Sequence, residues 1–378
     1  MQNNIKKAIS LLAIVIFIIV VVVVIYNCNT SEKKFKKDGI LYALSIDGVN
    51  STSFPSKGLY KVNVTCENAK GKWLYDDWKL SIENITGDVS CDLDFTTMEK
   101  SFLNTYIMGL VGTTQGIGQL VNENGYRYEG KNPNNYIWFN NEYWRIIGVF
   151  DSTSHGQSEK NMVKIIRDDV LSGLAWDKSD KNDWSTASLN LLLNGAYYSA
   201  KDGINSGYCY GLYSTVTGNC NYTKSGIQDG YRGMIANVTW YLGGSSSASS
   251  TADAFYGYER GSTVYSGRPT TTTGYIGLIY PSDYGYSVLS SSCARTTNLD
   301  SYDSDTCAGA SWLYDGTLWT LTPGLSYRQN VFFFSNIAKI VQYGARYGYG
   351  VRPVLYLDSS VLLYDGDGSL ENPYIIGM

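Results

Sequence analysis

Apolar and polar positions alternate with different periods along this chain, and each change of period marks a change of element. From Ala8 to Tyr26 only Ser10 interrupts an apolar run. That is about the length that crosses a bilayer and longer than a usual signal-peptide core. From Gly39 to about Thr97 the pattern becomes a two-residue alternation in ILYALSIDG, GLYKVNVTC, WKLSIENI and DVSCDLDF. Such runs read as strands, and separators such as Phe54-Pro55-Ser56-Lys57-Gly58 carry turn chemistry. A small β-sandwich over residues 38–97 is predicted, set off from an anchor and juxtamembrane segment, 1–37.

A helix-like stretch near Met98 to Val111 opens a large domain, 98–378, and a Gly- and Thr-rich coil follows it. NNYIWFNNEYWRIIGVF then predicts a hairpin turning at Asn140-Asn141. Asn161 to Asp168 continues as a strand. Trp184 to Tyr198 predicts a helix capped by Ser185, with Leu189, Leu192 and Leu193 on one face. A second helical stretch is expected near Ile227 to Met234. Ser245 to Ser266 reads as long surface loop, and YIGLIYPSDYGY as a short strand leading into a loop. Trp312 to Thr322 and Gly350 to Leu357 are late strands. No internal repeat is evident.

Composition sharpens this picture. With 33 Tyr, 39 Gly and only 17% charged residues, the chain favours short strands and loops over helices. A net charge of −4 gives no reason to expect a nucleic-acid partner. Beyond the anchor and juxtamembrane segment lie six cysteines in three local pairs, Cys66–Cys91, Cys209–Cys220 and Cys293–Cys307, and each pair would close a short loop. No C-x-x-C exists, and the single His155 lies in a Ser- and Gly-containing loop, so zinc is disfavoured. The apolar run is read as an uncleaved single-pass anchor. A lipoprotein cysteine at Cys28 and a cleaved signal are the alternatives. Lys33, Lys34, Lys36 and Lys37 after the run oppose an outward bulk by the positive-inside rule. The paired cysteines argue for an oxidising compartment and decide for an extracytoplasmic bulk.

Within the segment 319–350, the core between the two late strands matches none of the preceding patterns. WTLTPGLSYRQNVFFFSNIAKIVQYGARYGYG is rich in Tyr, Arg, Asn, Gln, Ser and Phe. Tyr and Arg supply large contact areas and Asn and Ser adaptable hydrogen bonds, the chemistry of a recognition surface. The expected contacts are Arg328, Gln329, Asn330, Phe333, Ser335, Asn336, Lys339, Gln342, Tyr343, Arg346, Tyr347 and Tyr349. Val331, Phe332, Phe334, Ile337 and Ile340 are the expected inward-facing framework.

From Gly125 to the C-terminus, the runs GYRYEGKNPNNYIWFNNEYWRIIGVF, VKIIRDD, LAWD, GYIGLIYPSDYGYSVLSSSCARTTNL, WTLTP and YGVRPVLYLDSSV resemble bacterial surface proteins with C-type-lectin-like domains. These are related in fold to the formylglycine-generating enzymes. Some members are similar to variable proteins diversified by retroelements. The upstream block is similar to the Ig-like companions of that family. The resemblance implies an α+β fold, closed by GVRPVLYL, with Arg352 in a structural role. It implies that the segment before this closing strand is the one diversified members vary. Adenine mutation of AAY-type codons yields several of the residues found here. A membrane-anchored protein that binds a protein or glycan is therefore expected.

An enzyme is not expected. The oxidase relatives need close paired cysteines in their closing motif, and none follows Cys307. The E-P-N, Q-P-D and W-N-D motifs of calcium-dependent lectins are missing. Asp365, Asp367, Ser369 and Glu371 begin like a calcium loop, but no acid closes it, so a hairpin turn is predicted and no cofactor is expected. Asp283, beside Tyr284 and Tyr286, reads as a capped turn rather than an acid–base group. Glu142 and Arg145 read as a surface or buried pair. An extracytoplasmic enzyme acting on cell wall or glycans, needing two convergent carboxylates, and a structural surface module are the alternatives.

Overall fold

The computed structural model describes residues 35–378 other than 38, 59, 76, 99 and 100. The expected anchor, Ala8 to Tyr26, and Cys28 lie outside the described residues. Among the described residues no helix is long and apolar enough to cross a membrane. The chain divides into two compact units at Glu99 and Lys100.

The first unit is built on a five-stranded sheet. Its order is Phe35–Lys37, Ile40–Ile46, Ser90–Thr97 and Tyr60–Glu67, with Val49–Asn50 paired to Ile40–Ile46. Ile40–Ile46 runs parallel to Ser90–Thr97, and Tyr60–Glu67 runs antiparallel to it. Alternation carries Leu93 and Phe95 fully inside. A separate hairpin, Lys70–Leu74 with Lys79–Glu83, brings Trp73 to 4.9 Å from the Phe95 ring. Cys66 and Cys91 are bonded and sit directly opposite each other on neighbouring strands of one sheet. In an antibody-type domain the bridge instead links two sheets.

The second unit holds a nine-stranded and a five-stranded sheet, with few helices. The larger runs Ile276–Gly277, Val354–Leu357, Met162–Arg167, Glu142–Phe150, Tyr136–Phe139, Tyr374–Gly377 and Leu362–Asp365. Ile117–Asn122 and Tyr126–Asn132 join it through Glu142–Phe150. Asn140 and Asn141 both take left-handed conformations, φ 58° and 60°, as a tight two-residue hairpin turn requires. Met162–Arg167 is buried along its whole length, Lys164 included. The smaller sheet runs Gly173–Ala175, Gly348–Gly350, Leu318–Pro323, Asn330–Phe334 and Ile340–Gly344.

Several sequence expectations need correction. The Gly- and Thr-rich coil contains the hairpin Ile117–Asn122 with Tyr126–Asn132. The helix near Trp184 is broken: a 3-10 turn at Trp184–Thr186 precedes α-helix Ser188–Leu192 and a π turn, Leu193–Tyr197. Ser185 bonds Asp183 instead of capping, and buried Asp177 accepts the Ser188 N–H at 3.1 Å. The Ser/Thr-rich loop contains helix Ala252–Arg260, capped by Thr251. The stretch after Ile279 is helix Pro281–Ser287, not loop. His155 ends a short helix, Ser152–His155, and its buried ring contacts the Phe150 carbonyl.

Buried charge ties these layers together. Asp283 caps its helix by accepting the Tyr280 N–H, and its carboxylate also meets Arg127 at 2.8 Å and Lys164 at 2.5 Å. Burial pushes the Asp283 carboxyl up, but Lys164 and Arg127 outweigh it and hold it at about 2. Glu142 pairs with Arg167, not with Arg145. Arg145 bonds Asn135 and stacks on Tyr136, its guanidinium 3.7 Å from the ring centre. Arg352 donates to the Arg167 carbonyl at 2.7 Å and lies 3.5 Å from Asp168.

Candidate recognition surface

Two segments distant in sequence meet on one face of the smaller sheet. The first is the hairpin Asn330–Phe334 with Ile340–Gly344, which pairs Val331 with Tyr343 and Phe333 with Val341. Because side chains alternate, Phe332 and Phe334 face the centre of the unit, where they meet Phe255 and Tyr284. Val331, Phe333 and Tyr343 take the other face. Phe333, expected as a ligand contact, is only 7% exposed. It packs between Trp319, 5.8 Å away, and Tyr349, with which it stacks at 4.4 Å. It is the floor of the surface rather than a part of it. Ile337, expected as framework, is 53% exposed because it sits in the hairpin turn. Val331, Phe332, Phe334 and Ile340 are fully buried.

On this floor stands a layer of tyrosines. Tyr343 and Tyr347 rings lie 4.2 Å apart, and Tyr347 is near-parallel to Tyr349 at 6.3 Å. Tyr213, to which no motif or periodicity points, contacts Tyr347 at 5.0 Å and is 57% exposed. The Tyr343 and Tyr347 hydroxyls hydrogen-bond, which raises Tyr343 and lowers Tyr347 from the ordinary phenol value. Burial, with the neighbouring tyrosines, pushes Tyr349 up to about 12.

Beside the tyrosines an open depression of about 340 Å³ is lined by Asp180, Tyr327, Gln329, Asn330, Gln342, Tyr343, Gly344, Arg346 and Tyr347. Its position is fixed from below. Buried Asn182 donates to the carbonyls of Gly324, Tyr327 and Asn330, and its own N–H bonds the Arg328 carbonyl at 2.8 Å. The Ala345 N–H bonds Gln329 and the Ala345 carbonyl accepts from Asp177. Asp180, in a left-handed conformation, accepts the Arg346 N–H at 3.1 Å, and its carboxylate lies 3.8 Å from the Arg346 guanidinium. Backbone groups of the loop are thus satisfied by Asp177, Asp180, Asn182 and Gln329, while the Arg328, Tyr343 and Arg346 side chains stay exposed.

The twelve expected contacts do not form one patch. Gln329, Asn330, Gln342, Tyr343, Arg346 and Tyr347 line the depression, exposed Arg328 adjoins it in the chain, and Tyr349 lies under its tyrosine layer. Ser335, Asn336 and Lys339 form the hairpin turn at the opposite strand end, about 15 Å away at strand rise. There the Ser335 hydroxyl accepts the Lys339 N–H, and the Tyr314 hydroxyl ties the turn down. Gln342 reaches the Ser246 carbonyl at 3.2 Å, so the start of the Ser/Thr-rich segment borders the same surface.

The three cysteine pairs are bonded as Cys66–Cys91, Cys209–Cys220 and Cys293–Cys307. The second closes the loop that carries Tyr213. Asp365, Asp367, Ser369 and Glu371 lie in and beside the turn joining Leu362–Asp365 to Tyr374–Gly377, where Asp367 accepts the Ser369 N–H. Among the described residues no group of three or more His, Cys, Asp or Glu side chains is placed to share a metal. Comparison with protein-family models, curated proteins and solved structures finds no match to the chain.

Proposed function

We propose that the large unit is a ligand-recognition module of a membrane-anchored, extracytoplasmic surface protein acting in binding or adhesion. The observation that carries this reading is the outward layer of Tyr213, Tyr343 and Tyr347, with Arg346 and planar amides beside it. All are held by a buried framework. Tyrosine and arginine fixed from beneath bind with little further loss of conformational freedom. The C-type-lectin-like assignment and retroelement diversification rest on the sequence runs quoted above. The depression holds one carboxylate, Asp180, whereas glycoside hydrolysis uses a pair.

The test is binding of the full chain, displayed on cells, to immobilised protein and glycan panels. Arg328→Ala, Tyr343→Ala, Arg346→Ala and Tyr347→Ala combined should abolish retention on whatever panel member is bound. Unchanged retention by a folded variant removes this surface from the function.

A further inference from the structure

Resting on the recognition reading, we propose that this surface takes a glycan without a bridging metal. Tyr213, on the Cys209–Cys220 loop, would be one of its stacking residues. No aliphatic side chain lines the depression. Its carbon comes from the Tyr327, Tyr343 and Tyr347 rings, and it is an open depression rather than the enclosed apolar pocket that an aliphatic anchor fills, whereas a saccharide presents hydroxyls that donate and accept together. Gln329, Asn330 and Gln342 each offer both roles, Asp180 accepts and Arg346 donates. The C–H faces of a sugar ring need flat aromatic surfaces, and exposed Tyr213 packed on half-buried Tyr347 supplies aromatic surface at the rim. A phosphate-rich polymer is disfavoured, because Arg346 is the one cation in the lining and Asp180 stands beside it. A calcium-bridged sugar needs several anionic oxygens on the protein, and the lining offers one carboxylate.

Tyr213 is placed for this role by unusual local backbone. Tyr213 and Ser214 both take φ of 54°, a conformation that side-chain-bearing residues seldom adopt. Three features keep the loop there. The Cys209–Cys220 bridge closes it. The Ser214 N–H bonds the Arg346 carbonyl at 3.1 Å. Gly348 lacks a side chain where a Cβ would come within 2.8 Å of the Leu212 nitrogen. The loop and the segment 344–349 therefore form one composite edge.

The experiment passes the full chain in nanodiscs over an array of neutral and acidic oligosaccharides. The retained glycan is then titrated by calorimetry. Binding should persist in EDTA. Tyr347→Ala and Tyr213→Ala should each weaken it about tenfold or more, while Tyr347→Phe retains most of it and Tyr347→Leu does not. Thermal melts of each variant confirm folding. Binding abolished by EDTA, or equal in Tyr347→Leu and Tyr347→Phe, overturns the proposal. An array with no retained glycan also overturns it. If the combined alanine variant then still loses retention on the protein panel, the recognition reading stands with a protein partner. If nothing changes on either panel, both readings fall.

Discussion

Phe333→Ala separates floor from contact more sharply than any other single change. The ring is 7% exposed and is enclosed by Trp319, Tyr349 and Tyr343 at centroid distances of 5.8, 4.4 and 6.4 Å. Truncating a buried Phe costs about 3–5 kcal/mol, set by how far the neighbours can settle into the space. Tyr343 covers Phe333 from a site that is itself 45% exposed, so the surroundings can settle partly into the space and the lower end, about 3 kcal/mol, is expected. At about 2–4 °C per kcal/mol for a unit of this size, the melting temperature should fall by roughly 6–12 °C. Tyr343→Ala, at a site 45% exposed, should cost about 1 kcal/mol or less. The assay pairs urea denaturation, followed by intrinsic fluorescence, with retention on the ligand panel. Phe333→Ala should lose stability and Tyr343→Ala should lose binding. A Phe333→Ala protein as stable as the parent that no longer binds would refute the assignment of faces in this strand.

Asn182→Ala strips three loop carbonyls of a buried donor. It should cost about 1–3 kcal/mol and weaken binding without touching ligand, read as faster exchange of amides near residues 324–330. Asp283→Asn removes the counter-charge of both Arg127 and Lys164, and breaking such a buried pair costs about 3–5 kcal/mol. With the Asp283 carboxyl held at about 2, its contribution is full above the ordinary 3.8 and is lost as pH falls through about 2. An acid denaturation series should therefore show this loss in the parent and not in the Asn variant. Changing Cys209 and Cys220 together to Ser should destabilise the Tyr213 loop by about 3 kcal/mol or less, seen as new proteolytic cleavage between them. Protease treatment of intact cells should remove the bulk of the chain, and full protection would reverse the proposed topology.

What the sequence made legible was local. Asn140-Asn141 announced its hairpin because two adjacent left-handed residues suit few other side chains. Met162–Arg167 was readable as a strand from its β-branched run, although Lys164 within it is fully buried against Asp283, a partner far along the chain. The cysteine pairs followed from proximity. What failed was non-local. Ile337 sits in the hairpin turn, where alternation does not apply, and Phe333 was misplaced because alternation assigns faces only when one side of a strand is open. Here Trp319 and Tyr349 cover the second side. Helix Ala252–Arg260 was hidden because Ser, Thr and Gly surround it, and its buried Phe255 and Glu259 find their partners elsewhere in the fold. Tyr213 joins the surface through a disulfide loop and a strained turn, neither of which leaves a periodic mark.

The surface carrying Arg328, Tyr343, Arg346 and Tyr347 is proposed to recognise a ligand and not to hold the fold together. Its most direct test is the combined alanine variant of these four residues, with melting temperature and panel retention measured on the same preparation. A cooperative melt within a few degrees of the parent, with no retention, is the expected result. A variant that unfolds shows these residues to be core, and one that melts normally and is retained like the parent places recognition elsewhere.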